Sequence, residues 1–468
     1  SDTVSIFMAV LFFQGNNEML ELAAEQIGLR EVTTVFIHFF HCLLYVLVLL
    51  IFIGWNSGVW EKDGSALDVE TWVVADAMLV KYGEGVPEDK VRAVIRNDHE
   101  SRKSVYTDEY GLEVAVVKKH VEYETRKRRN ACWATLIAHM AGFASIGAGG
   151  SMQQSEFFNR GPVVCFIPVL VTLLVLIAFF QLSALYREKL RQEAVSFGRK
   201  GRRAKMVHEA VGEAENDILS LAASFLTVQV IRFAITGQLP NAEGLEEPVK
   251  FDLTLWHVSV LAGVGFGFCI ACMLIARGRS MMAGGAQGQG HGNKEEEEEE
   301  GVSVRILEVL MSTVAMCFAW CALICVRWAW ELHPFLGIKV LSIIGRIMLA
   351  LILSLLTFLV VYVLDSIHDR LRASEADTKT SEHAISAIIG AVSVLVGFSW
   401  EHSFDGAVTA VADLNQEYPQ CTKFVLGICV FGFLLRPWRR YILMRSLQLE
   451  SLKTEREKSV NKMVKDQQ

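Results

Sequence analysis

The chain has 468 residues, a net charge of −7 from 45 Lys and Arg against 52 Asp and Glu, 52% hydrophobic residues with 35 glycines besides, and a mean hydropathy of +0.33. Soluble domains run at roughly 45–50% apolar even with glycine counted. Here the apolar residues are gathered into blocks of about 20, long enough to cross a hydrocarbon core of roughly 30 Å. This excludes a soluble multidomain protein and predicts an all-α fold, a polytopic membrane protein with about nine transmembrane helices.

Taken in chain order, residues 1–34 form an extracellular or interfacial amino-terminal segment. Its apolar piece, "DTVSIFMAVLFF", is too short to span, and the count becomes ten if it crosses. Residues 35–60 carry the first transmembrane helix, at 35–55. The connection 61–129 reads as a cytoplasmic helical insertion, because "LDVETWVVADAMLVKYG" and "LEVAVVKKHVEYETRKRR" both scan as amphipathic. Residues 130–276 hold helices two to five, at 131–146, 162–186, 218–235 and 253–276. The span 277–304, with its run "HGNKEEEEEEG", is a low-complexity acidic loop expected to be disordered. Helices six to nine follow within 305–443, at 309–330, 347–364, 384–412 and 424–443, and 444–468 is a charged cytoplasmic tail.

The connections between these helices alternate in charge. "ETRKRRN", "GRKGRRAKM", "RGRSMM", "DSIHDRLRAS" and "RPWRRYILMR" are basic or flank helix ends with arginine, whereas "QLPNAEGLEEPVKFD" and "DLNQEYPQ" are acidic. Under the positive-inside rule this puts the amino terminus outside and the carboxyl terminus in the cytoplasm. Arg126, Arg128, Arg129, Arg202 and Arg203 then lie where anionic headgroups are within reach. The same placement explains these basic clusters without nucleic acid.

Charged groups at membrane depth carry the functional signal, since each costs at least about 2.5–3.5 kcal/mol to insert unless it meets a partner or water. "GFSWEHSFDGAVTAV" (397–411) places Glu401, His402 and Asp405 in the outer half of helix eight. Residues 384–398 alone are thin for a span, so the helix is expected to continue through them. Glu401 and Asp405 are i,i+4 and share a face, the arrangement of a proton relay or a cation vestibule, though a buried ion pair would use the same letters. Arg232, Arg327 and Arg346 approach the same half and are candidate charge partners, with Gln229 one turn from Arg232. Snorkelling accounts equally for Arg327 and Arg346. None of them repeats every third residue, as a voltage sensor requires.

His38, His41, His139 and His257 are candidates for proton or ligand handling. His38 with His139 is a forced choice for axial haem ligation, and hydrogen-bonded histidines at the membrane interface are the plainer reading. The ten cysteines fall mostly inside apolar blocks and read as small buried hydrophobes. No catalytic residue, metal site or cofactor is predicted: P-loop, nucleophile elbow, zincin and dinucleotide signatures are all missing from the sequence. Faces of small residues such as "LAGVGFGF" suit a homo-oligomer or other complex partners as well as a monomer.

These features point to an ion-conducting or ion-coupled transport protein for a small cation or proton, working in a lipid bilayer through Glu401, His402 and Asp405. A non-conducting membrane subunit or scaffold is the alternative of another class, and a lipid-modifying membrane enzyme is a third.

Overall fold

The computed structural model describes residues 2–27, 31–60, 70–75, 78–81, 103–107, 113–119, 121–195, 198–242, 244, 251–286, 302–373, 378–443 and 445. Its helices are α1 (Asp2–Gln26), α2 (Glu31–Ser57), α3 (Val121–Gln154), α4 (Ile167–Val195, entered through the single turn Pro162–Cys165), α5 (Gly198–Thr236) and α6 (Leu255–Ala286). They continue with α7 (Val302–Leu332), α8 (Ile343–Ala373), α9 (Thr378–Ala412) and α10 (Pro419–Pro437). Among the described residues, nine helices are long and apolar enough to cross a membrane. Each coincides with one of the nine predicted from the sequence, at 33–57, 126–154, 162–192, 203–236, 255–279, 305–332, 343–367, 383–412 and 419–443.

The chain divides into two compact units. The larger comprises Ser1–Ile51, Cys132–Tyr186 and Val211–Gln468. Its helices differ in how much they bury. The apolar stretches of 126–154 and 203–236 are 78% and 72% buried, against 17% for 255–279 and 343–367 and 11% for 419–443. The outer helices instead turn large apolar side chains outward, among them Leu355 and Phe358 of α8, Phe266 and Leu274 of α6, and Phe433 of α10. That is the distribution expected when the surrounding solvent is hydrocarbon rather than water. Helix α9 packs against α1, α6, α7, α8 and α10.

Three expectations are corrected. The first concerns the amino-terminal segment, whose short apolar piece is part of a longer helix packed among others. Helix α1 runs 25 residues, and Ile6, Met8, Ala9, Val10 and Leu11 are buried. It lies alongside α9, where Thr3 Oγ1 donates to the Ser393 carbonyl at 3.0 Å and Phe7 meets Phe404 edge to face at 5.5 Å. It runs opposite to α10, with Phe12 against Phe431 at 5.3 Å. Asn16, Asn17 and Glu18 lower its hydropathy, yet a helix enclosed by others need not be apolar throughout.

The second correction is the helical insertion over 61–129. Strands β1 (Glu70–Ala75), β2 (Met78–Lys81), β3 (Lys103–Thr107) and β4 (Glu113–Lys119) form an antiparallel sheet in the order β2-β1-β4-β3. Its register pairs Val73 with Val116 and Tyr106 with Val114. The valines, with Trp72, Thr71 and Tyr106, favour a pleated surface over a helix. The sheet belongs to the smaller unit, 52–131 with 187–210. The third correction is at 277–304: α6 continues to Ala286 and α7 starts at Val302. The acidic run 287–301 and the tail beyond 445 lie outside the described residues.

Close packing of α1 on α9 depends on Gly397. A Cβ there would stand 2.5 Å from the Thr3 carbonyl oxygen, a backbone atom that moves only with its helix. Alanine normally gains about 1 kcal/mol over glycine inside a helix, but overpacking of this kind costs about 1–3 kcal/mol. Gly397→Ala is therefore expected to destabilise the chain, which the thermal midpoint of detergent-solubilised protein would measure; a raised midpoint would mean that α1 shifts without cost.

Candidate functional site

Helix α9 continues through 397–412, so Glu401, His402 and Asp405 are on one unbroken helix. Their environments differ. Glu401 is fully buried. Asp405 Oδ1 lies 2.7 Å from Lys423 Nζ, which also bonds Glu18 Oε1. This Glu18–Lys423–Asp405 bridge ties α1, α10 and α9 together at one end of the bundle. His402 stacks parallel to Phe398, with ring centroids 6.4 Å apart.

His402 also lines a small cavity between α5, α7, α8 and α9. Arg232 of α5, Arg327 of α7 and Arg346 of α8 line the same cavity. Arg232 and Arg327, some ninety residues apart, come to one level because α5 and α7 run side by side in the same direction, with Arg305 against Gly212, Ser220 against Val309 and Trp320 against Ser224. Arg232 is 2% exposed, and its Nη2 donates to the Gly244 carbonyl at 3.0 Å. Gly244 has φ +82°, and a Cβ there would press on the Phe225 ring, so the turn after α5 requires glycine to present that carbonyl. Arg346 Nε donates to the Leu341 carbonyl at 3.2 Å. Its Nη1 would stand 3.2 Å from a Cβ at Gly406, so the absent side chain leaves room for the guanidinium beside α9.

Two residues of the lining, Gln229 and His402, each hold a buried polar atom without a partner. Gln229 is 1% exposed, and its Nε2 donates to the Asn241 carbonyl at 3.1 Å. Its Oε1, and Nε2 of His402, have no hydrogen-bond partner among the described residues. Burying such atoms unpaired costs about 1–3 kcal/mol each. The remaining wall is aromatic and aliphatic. Trp320 meets Phe225 and Phe398 edge to face at 5.0 and 5.1 Å, and its Nε1 donates to Ser224 Oγ at 3.2 Å.

The four candidate histidines do not converge with this cavity. His38 Nε2 is 3.9 Å from Glu21 Oε1, and His139 Nδ1 is 3.4 Å from Ser5 Oγ. Those partners are sixteen residues apart on α1, about 24 Å along a helix, which removes His38 with His139 as an axial haem pair. His41 packs on Phe13 and Tyr45. His257 Nδ1 is 2.8 Å from Thr254 Oγ1 at the start of α6. Among the described residues no group of His, Cys, Asp and Glu is arranged to hold a metal ion.

In the smaller unit, Arg126 Nη1 donates to the Asn56 carbonyl at 3.2 Å, while Arg128 and Arg129 are exposed. Arg203 is buried and donates to the Gly58 carbonyl at 3.2 Å, so it caps the end of α2 rather than facing headgroups. The side chain of Arg202 lies outside the described residues.

Two charged groupings escaped the sequence reading. Lys423 stands one residue before the predicted start of helix nine, and a lone lysine entering a helix at an otherwise acidic end was the available signal. Glu215 is 1% exposed, accepting from Ser183 Oγ at 2.7 Å and lying 3.4 Å from Arg305 Nη2. Nothing in the local sequence separates it from Glu209 or Glu213.

Apolar helices, apolar side chains turned outward and charged groups enclosed among helices define an integral, multi-pass membrane protein. No known protein family, curated protein or solved structure matches the chain.

Proposed function

We propose that this membrane protein is an ion-conducting or ion-coupled transporter whose ion site is the arginine-lined cavity, with the orientation that the loop charges indicate. The observation that carries the reading is the convergence of Arg232, Arg327 and Arg346, from three helices, on one enclosed space. Arginines at membrane depth are costly and mark substrate pathways when they face an interior cavity.

The sign of the ion changes from the sequence expectation. A cation or proton site rests on Glu401 and Asp405 acting together. Asp405 is engaged by Lys423, whereas three guanidinium groups line the cavity. Fixed positive charge in a low-dielectric wall attracts an anion and repels a cation. Glu401 and His402 then sit beside the anion site as proton-handling groups. Closed bridges such as Glu18–Lys423–Asp405 and Glu215–Arg305 favour the second reading, a non-conducting subunit whose buried charges only set helix register.

Vesicles containing the full chain test this directly. An imposed anion gradient is expected to drive current or flux whose reversal potential follows the anion and not the cation. A reversal potential set by the cation overturns the anion assignment, and folded protein without flux supports the non-conducting subunit.

A further inference from the structure

We infer that the turn ending α10 is a binding site for the headgroup of an anionic phospholipid. The inference is independent of the ion-transport proposal, since none of its residues lines the cavity.

Between Glu417 and Glu450 the chain carries no acidic residue, and Arg436, Arg439, Arg440 and Arg445 gather in its second half. Pro437 has no N–H to give to the α-helical ladder, and beyond it α10 passes into a π-helical turn, Trp438–Leu443. Trp438 and Leu443 both enter one buried cluster with Met8, Cys132 and Leu136. Residues five apart on an α-helix would point about 140° away from each other. The wider turn, bonded i to i+5, brings them to one side. The inner side of the turn is thereby fixed to the bundle, with Trp438 only 1% exposed.

The same turn leaves Arg436, Arg439 and Arg440 exposed, and among the described residues none of the three meets a carboxylate. Arg440 lies over the Tyr441 ring, 5.7 Å from its centroid. Three guanidinium groups within five residues, held on an anchored turn, are positive charge that an anion would balance. Their depth identifies the source of that anion. They belong to the final part of the membrane span 419–443, where lipid phosphates are within reach of a long side chain. Phe433, Tyr441 and Ile442 are exposed beside them and offer acyl chains an apolar surface. The guanidinium fork matches phosphate oxygens, and each arginine near anionic headgroups adds about fivefold in affinity.

Native mass spectrometry of the full chain in detergent tests this, with dioleoylphosphatidate and dioleoylphosphatidylcholine supplied in equal amounts. The phosphatidate adduct is expected to exceed the phosphatidylcholine adduct by about tenfold or more. The triple variant Arg436→Gln, Arg439→Gln and Arg440→Gln should bring the two adducts within about twofold of each other. All three side chains are exposed, so the variant should fold, which its thermal midpoint checks. If it does not fold, the three single variants carry the test, each expected to lower the preference severalfold.

Arg128→Gln with Arg129→Gln, exposed arginines of the smaller unit, should leave the preference unchanged. An equal loss in that variant would show a general effect of positive charge and overturn the site. Equal binding of the two lipids by the parent chain would overturn it as well. Glycerol 3-phosphate at the same concentration should not displace phosphatidate. Displacement would assign the turn to a water-soluble phosphate ester and overturn the lipid assignment.

Discussion

Lys423→Met is expected to destabilise the folded chain by about 3 kcal/mol, the low end of what breaking a buried charge pair costs. The low end applies because Glu18 is 30% exposed, so solvent screens part of the charge left behind. Lys423 is 12% exposed and Asp405 15%. Removing the ammonium leaves two carboxylates at the meeting point of α1, α9 and α10, each without the cation that neutralised it. Their mutual repulsion acts on the contact that holds the end of α1 in the bundle. Thermal unfolding of detergent-solubilised protein would measure the loss. The triple variant Lys423→Met, Asp405→Asn and Glu18→Gln should recover most of it, since neutral amides remove the repulsion while filling the same space. A loss under about 0.5 kcal/mol, typical of surface pairs, would show that water reaches all three groups.

Arg232→Gln is the change expected to affect function most. Arg232 is the most deeply buried arginine of the cavity, and the Gly244 carbonyl holds its guanidinium in place. A charged hydrogen bond in such a setting is worth about 1.5–3 kcal/mol, so anion affinity or flux at subsaturating anion should fall by roughly ten- to a hundredfold. Arg327→Gln and Arg346→Gln should fall less, because both side chains are partly exposed and act across more screened space. The ordering Arg232, then the other two, is the discriminating result. Unchanged flux in Arg232→Gln, with folding verified by the thermal midpoint, would remove the cavity from the pathway. Arg232→Lys gives a finer measurement: the charge is kept while the planar fork is lost, so a small inorganic ion would tolerate it better than a carboxylate.

The number and placement of the apolar helices were legible in the sequence because hydropathy averaged over a span of about 20 residues is a local property. The continuation of α9 through Glu401 and Asp405 was legible for the same reason: 384–398 is too short to cross alone. Local pattern misled at 70–119, where Val and Lys at mixed spacing satisfy a helical face and a strand equally, and pairing with distant segments decides for the sheet. It also misled at α1, whose polar second half lowers its hydropathy although its first half is enclosed by α9 and α10.

The candidate site divides along the same line. Hydropathy alone picks out the ionisable residues that interrupt apolar runs: Arg232, Arg327, Arg346, Glu401, His402 and Asp405. Their grouping follows from the packing of helices distant in sequence. Asp405 goes to Lys423, which in turn reaches Glu18 from 405 residues away in sequence, and the arginines go with His402 to a cavity lined by Trp320 and Phe398. The reason is that the cost of a charge in hydrocarbon is set by its own position along the helix, whereas the partner that offsets the cost depends on which helices pack together.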